Sequence, residues 1–403
     1  MVSRRHIRAE KKTSKLPNSV RVIIFVVIVA GAYTLGVFNN QVLAAVAPIF
    51  GIKSYAGTLD TSSLQSTYQA LKANFAGTLD DQKLIDAANK GLVSAAGDQY
   101  TVYMTRSEYA DFNNSLTGNI GGGIGVELGT RNDVPTIVRV LANNPAGAAG
   151  VMVGDVVTAL NGQSTSGQTL AQVVAGVRGE VGTTLKLTVT RAGETKEFTI
   201  TRAQVDNPSV YSSVSDGIGI MTITSFDDQT GDLARQAAQQ FKSQNVKGVI
   251  LDLRDNGGGY ITAAQDVAGL WLDNQVVVTE KNNNTILDQL RTGSDPILAG
   301  IPTVVLVNGS SASASEIVSG ALHDDKAATL IGEKTFGKGS VQKLISLPEG
   351  AELKVTVAKW YTPGGTNVSG NGITPDKVVS ISQDDLNAGR DPQLDAAKAQ
   401  LGN

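Results

Sequence analysis

The sequence predicts an α/β chain of several domains, and three observations carry that expectation. Near the start, a charge-free apolar run follows a cluster of basic residues. In the middle, short β-branched segments are separated by glycine turns. From Ser209 onward, apolar strand candidates alternate with helical patterns, as in a βαβ layer. With 403 residues there is room for two or three domains, and a composition 41% hydrophobic and 18% charged is that of a folded protein.

The basic cluster comprises Arg4, Arg5, Arg8, Lys11, Lys12, Lys15 and Arg21, against one acid, Glu10. Val22–Phe38 then runs without a charge. At about 1.5 Å per residue it covers roughly 25 Å, near the short limit for a bilayer. Residues 22–45 are therefore expected to form a transmembrane anchor. The one-sided basic flank puts residues 1–21 in the cytoplasm and the main body outside, as a single-pass protein of the cell membrane. A cleaved signal peptide is the lesser option: Ala45-Val46-Ala47 has the small-x-small form, but Pro48 follows the cut and the basic region is long.

Residues 46–115 are expected to be a small helical region. Within it, Thr61–Ala96 places Leu64, Tyr68, Leu71, Phe75, Leu84, Ala87 and Leu92 near helical spacing, as a spacer without chemistry.

Residues 116–204 change character. Thr136–Leu141, Asp155–Leu160, Thr184–Thr190 and Glu197–Thr201 read as strands, with an amphipathic helix over Leu170–Val177. Gly123-Ile124-Gly125-Val126 opens the unit. Glycines there let successive backbone N–H groups converge on one point, which suits a terminal carboxylate. An extended peptide then adds beside the next strand, with Leu170 and Val174 of the helix as the other wall. The stretch resembles a PDZ domain in its G-Φ-G-Φ loop and in Pro145–Val157, which is similar to that fold's PxxxAGhxxGDhh segment. The plainer alternative is a small β unit whose glycine-rich turn holds no ligand.

Residues 205–385 carry the alternating pattern. Gly217–Thr224, Gly248–Leu253, Pro302–Val307, Ala328–Ile331 and Val355–Ala358 are strand candidates, with helices over Ile261–Leu272 and Ala314–Leu322. Trp271 and Trp360 are expected in the core, and residues 386–403 form a polar helical tail.

Composition narrows the chemistry. There is no cysteine, so no thiol nucleophile and no disulfide, and the histidines are His6 and His323 alone. A net charge of −3 gives no bulk reason to expect nucleic acid. Serine with lysine is then the leading option for nucleophilic chemistry, while a serine–histidine pair would have to use His323. The strand–turn–serine–helix pattern at Val307–Leu322 exposes a side chain at a helix N-terminus, where orphan N–H groups favour an oxyanion. Ordinary capping explains Ser310 and Ser311 equally well. A base at Lys338 requires burial to lower its proton affinity, since an ordinary lysine is almost wholly protonated at pH 7. Gly332–Lys338 mimics a P-loop, but Gly339 stands where the magnesium-holding Ser/Thr belongs and a strand follows instead of a helix. Ser340–Lys343 matches S-x-x-K without its partner motif.

In five blocks the chain resembles the carboxyl-terminal processing (tail-specific) protease family. Asp252–Gly259 is similar to DLRxNxGG, Ser311–Glu316 to SASASE, and Gly332–Gln342 to GxxxxGKGxxQ. Tyr361–Gly365 and Gly372–Asp376 are similar to YTPxG and GIxPD. The resemblance implies Ser313 as nucleophile, Lys338 as general base and Gln342 orienting it, with backbone N–H groups of Gly258 and Ala314 as oxyanion hole. Gly257 departs from the proline often found there, and His323-Asp324-Asp325 from the usual residues after the nucleophile helix. His323 lies ten residues beyond Ser313, about 15 Å along a continuous helix, too far to serve it. Arg254 is expected to fix its loop and Glu316 to complement the helix N-terminus.

The expected function is that of a membrane-anchored extracytoplasmic serine endopeptidase with a Ser–Lys dyad. It captures protein substrates by exposed, rather apolar C-termini, and no metal, nucleotide or other cofactor is implied. The alternative is a catalytically weak PDZ adaptor. A second copy of the chain or an activating partner stays open.

Overall fold

The computed structural model describes residues 59–402, apart from 118–120, 132–133, 142, 206, 383 and 386–387. The expected anchor over 22–45 and the basic tail lie outside these. Among the described residues no helix is long and apolar enough to cross a membrane.

The chain divides into a unit ending at Asp81 and one beginning at Gln82. In the first, Ser62–Asn74 is a helix with no buried residue. The helical expectation over Thr61–Ala96 is interrupted: Phe75 turns extended (φ −73, ψ 127), and helix resumes at Asp81–Ser94.

In the second unit, a six-stranded sheet is built from Val126–Arg131, Val134–Val140, Val156–Leu160, Thr184–Arg191 and Glu194–Thr201, with Gln163–Ser164 at the side. Alternation fixes its register: Leu185, Leu187 and Val189 are fully buried beside Ile124, Ile137 and Val173. Helix Leu170–Val177 starts at a capping box, Thr169 N–H donating to Gln172 Oε1 at 2.8 Å and Gln172 N–H to Thr169 Oγ1 at 3.3 Å. Asp155, with no exposed surface, accepts from Met152 N and from Arg191 Nε and Nη2 at 2.9, 2.6 and 2.7 Å. Burial pushes its carboxyl up, but Arg191 and Met152 outweigh this and hold it below the usual carboxylate value. The aspartate of the glycine–aspartate segment is therefore a structural staple. Arg191→Met is expected to cost about 3–5 kcal/mol by leaving a buried charge unpaired, measurable by urea unfolding at pH 7.

A second six-stranded sheet runs Val210–Ser215, Ile218–Ile223, Gly248–Asp252, Thr303–Val307, Thr329–Gly332 and Lys377–Val378, parallel after its first pair. All five residues of Thr303–Val307 are buried, as a strand covered on both faces requires. Val305 and Val307 pack with helices Ile261–Ala268 and Ala314–Asp324. Val304 and Leu306 face the other way, with Ala397 of the C-terminal helix Pro392–Gly402.

A third sheet joins Val102–Met104, Glu352–Tyr361, Val276–Asn282 and Thr285–Arg291, with Ser340–Ser346 also paired to Glu352–Tyr361. Its first strand falls inside the region expected to be helical. Val102-Tyr103-Met104 pairs with Glu352–Lys354 instead, and helix Arg106–Leu116 follows from a Thr105/Glu108 capping box, a T-x-x-E signal plain in the sequence.

Candidate active site

Three adjacent parallel strands end at Asp252, Val307 and Gly332. Their following loops carry Gly257–Gly259, Ser310–Ser313 and Thr335–Lys338, so three of the five sequence blocks meet outside the carboxyl ends of the sheet, where α/β proteins place their sites.

The first two loops are bound side by side. Ser311 Oγ donates to Leu253 O at 2.8 Å, Ala312 N to Asn256 O at 3.0 Å, and Ser315 Oγ to the same carbonyl at 2.8 Å. Asn256, fully buried, donates to Ile223 O and accepts from Gly258 N at 2.9 Å. Ser313 sits at the mouth of helix Ala314–Asp324 with φ 55, ψ −113, a left-handed conformation that costs a non-glycine residue about 1–3 kcal/mol. Ala314 N–H, the first of the helix, has no preceding turn to accept it.

Gly258 (φ 101) lies against both: a Cβ there would stand 2.8 Å from Ser313 Cβ and 3.0 Å from Ala314 N. Gly257 has open space around its missing Cβ and is outside the left-handed region. Gly258→Ala is thus expected to cost at least about 1–2 kcal/mol and to displace Ser313. Gly257→Ala should instead stabilise by about 0.4–1 kcal/mol through the unfolded chain. Thermal unfolding of the pair checks both signs.

Glu316 joins the serine loop to the lysine loop. Its buried carboxylate accepts from Ser313 N and Lys338 N on one oxygen, each at 2.9 Å, and from Thr335 Oγ1 and Gly337 N on the other, at 2.6 and 2.7 Å. Thr335 is held in turn by Ile373, which donates to its hydroxyl at 2.6 Å and accepts its N–H. This accounts for the closing Gly372–Asp376 block.

Lys338 is half-buried. Its carbonyl accepts from Trp360 Nε1 at 2.9 Å, and its Nζ lies 5.5 Å from the centre of the Tyr100 ring. Burial, reinforced by the charge of Lys354, pulls Lys338 below the ordinary lysine value against the opposing pull of Glu316. Lys354 is itself lowered by burial, with its ammonium 5.1 Å from the Phe112 ring.

Ser313 and Lys338 are brought together through their backbones. Among the described residues, no hydrogen bond joins Ser313 Oγ to Lys338 Nζ. Gln342 Nε2 donates to Ser340 Oγ at 2.8 Å and to Thr356 Oγ1 at 3.4 Å, not to the lysine. The Gly258 N–H is engaged by Asn256. Arg254 makes bidentate pairs with Asp252 and Asp391 and donates to Gln393 at 3.1 Å, tying the strand end to the C-terminal helix. His323 Nε2 meets Asp376 at 3.1 Å, away from the serine. Sequence reasoning saw only a cap in Glu316, gave no role to Asn256 or Thr335, and read Trp360 as a core residue without its bond to Lys338. The first three stand in the quoted blocks, and Ser313-x-x-Glu316 is itself a capping-box spacing.

A groove of about 380 Å³ runs past Gly123, Ile124, Gly125 and Val126, with Val174 and Val177 from helix Leu170–Val177. Leu170, at the far end of that helix, does not line it; Arg178 does. Gly125 (φ 78) must be glycine, since a Cβ would sit 2.0 Å from Asn144 Cβ. Asp111, Asn114 and Ser115 of helix Arg106–Leu116, with Thr224 and Ser225, also line the groove.

A serine at a helix mouth with a lysine in the neighbouring loop, on an α/β body, is the layout of a serine hydrolase. The sequence profile described as "Peptidase family S41" matches residues 217–379, and that of the PDZ domain matches 122–201. A probable CtpA-like serine protease of Staphylococcus haemolyticus is 36% identical over 328 residues, 80% of this chain and 66% of that protein. The carboxy-terminal processing protease CtpA of Bacillus subtilis is 33% identical over 388 residues, 94% of this chain and 79% of that one. The solved photosystem II D1 C-terminal processing protease shares 27% identity at a TM-score of 0.52, covering 80% of this chain and 87% of its own. The chain belongs to the C-terminal processing serine proteases of peptidase family S41 and carries a PDZ domain.

Proposed function

We propose that the protein is an endopeptidase that captures unstructured, apolar protein C-termini in its PDZ groove and cleaves them with Ser313 and Lys338. The sharing of one Glu316 oxygen between the Ser313 and Lys338 N–H groups is the observation that carries this reading. Neutral Lys338 takes the Ser313 proton as Oγ attacks the scissile carbonyl carbon. The resulting oxyanion receives hydrogen bonds from Ala314 N–H and Gly258 N–H, and the lysine ammonium returns its proton to the leaving amine. The same lysine then activates water to release the acyl group from Ser313.

The structure fits a resting arrangement. Gln342 must turn from Ser340 and Thr356 towards Lys338, and Gly258 must exchange Asn256 for substrate. Peptide capture in the groove drives that closure in this reading. Equal turnover of tailed and tail-blocked peptides would count against it. The decisive assay compares wild type with Ser313→Ala on casein and on a peptide with a free apolar C-terminus. Cleavage by wild type alone supports the protease. Equally little cleavage by both, with the peptide still bound, makes the chain an adaptor. The basic flank and apolar run at the N-terminus support a retained anchor with this activity outside the cytoplasm. Release of the full chain from membranes by alkaline carbonate would oppose that.

A further inference from the structure

The turn Asp98–Thr101 and the strand Val102–Met104 lie before both matched regions, yet they are built into the lysine's surroundings. We propose that Tyr100 is a positioning residue for the catalytic base, with the Asp98–Thr101 turn as the clasp that holds it there.

Three independent contacts support this. The half-buried Tyr100 ring is 5.5 Å from Lys338 Nζ. Asp98 accepts from Tyr100 N at 3.2 Å and from Thr101 Oγ1 at 2.6 Å, which fixes the ring's backbone. Thr101 Oγ1 in turn accepts from Thr356 N at 3.1 Å, and Val102–Met104 continues the attachment as a strand paired with Glu352–Lys354. Thr356 also carries the hydroxyl that holds Gln342. One turn therefore touches the base through its aromatic ring and the base's expected partner through Thr356.

The charged groups facing the amine are Lys354, from the strand Glu352–Tyr361, and Glu316, from the helix Ala314–Asp324. Tyr100 adds an uncharged wall that does two things. It occupies space that water would take, keeping the amine dry before reaction. Its electron-rich face then receives the ammonium formed when Ser313 gives up its proton. An aliphatic residue supplies the first effect and not the second.

The inference rests on Lys338 being the base, so the test separates the two. In the full chain, kcat, KM and the pH profile are measured on a peptide with a free apolar C-terminus. Tyr100→Ala is expected to lower kcat about tenfold or more at neutral pH, with KM within about twofold, and to move the rising limb of the pH profile, set by loss of the lysine proton, up towards the ordinary lysine range. Tyr100→Phe, which keeps the ring, restores the limb and most of kcat. Should Tyr100→Ala fail to fold, Tyr100→Leu carries the test with a smaller loss in kcat expected, because an aliphatic side chain keeps the amine dry but does not receive the ammonium. A wild-type kcat and limb in Tyr100→Ala, a wild-type kcat in Tyr100→Leu, or a loss confined to KM or thermal stability, overturns the inference while Lys338→Ala remains inactive. Retention of the wild-type limb by Lys338→Ala removes the base assignment and the inference with it.

Discussion

Lys338→Ala is expected to lower kcat/KM for a tailed peptide by about 10²–10⁴-fold at neutral pH, the usual contribution of a positioned base. The same residue makes a second prediction of opposite sign. Burial and Lys354 hold its amine below the ordinary lysine value, so the unfolded chain binds the proton more tightly than the folded one. Stability from this group is then complete above the unfolded value and is lost as pH falls through the folded one. Lys338→Met, which fills the space without an amine, should therefore be more stable than wild type at neutral pH. That advantage should shrink as pH rises towards the unfolded lysine value. Urea unfolding across that range reads it directly, and a constant or reversed difference would show the amine to be hydrated and useless as a base.

Glu316→Gln is the second large effect. The carboxylate accepts four hydrogen bonds and donates none. An amide of the same shape must turn its NH₂ on one pair of donors, either Ser313 N and Lys338 N or Thr335 Oγ1 and Gly337 N. Only the Thr335 hydroxyl can rotate to accept. At least one buried N–H is then left facing a donor, at a cost of about 1–3 kcal/mol before repulsion is counted. We expect the folded state to survive while activity falls about a hundredfold or more, because the lost bonds fix the serine and lysine loops relative to each other. Circular dichroism with a peptide assay checks the split. Near-wild-type turnover would mean that the two loops hold their positions without this carboxylate.

The α/β alternation was legible because buried parallel strands such as Thr303–Val307 are short runs rich in β-branched residues. The glycine loop at Gly123–Val126 was legible because Gly125 tolerates no side chain there. Strand Val102–Met104 was not. Its pairing partner is near residue 353, and three residues carry too little periodicity to outweigh the helical pattern before them. The Ser313 and Lys338 blocks stood out in sequence, but the link between them did not. Spacing shows Glu316 as a cap for its own helix, whereas its bonds to Thr335, Gly337 and Lys338 come from a loop that only the sheet brings near. Gln342 shows the converse limit. Its place beside Thr356 follows from strand register, while its amide points to the Ser340 and Thr356 hydroxyls, which spacing alone does not show.

The Thr101–Thr356 bond spans 255 positions along the chain. Synthesis delivers Ser313 and Lys338, the proposed nucleophile and base, before it delivers Thr356, and so distant a pairing forms late and slowly. On those proposed roles a half-made molecule emerges unarmed. Its own unfolded portions, the loose extended stretches such an enzyme would cut most readily, are spared until the far end of the polypeptide has come home.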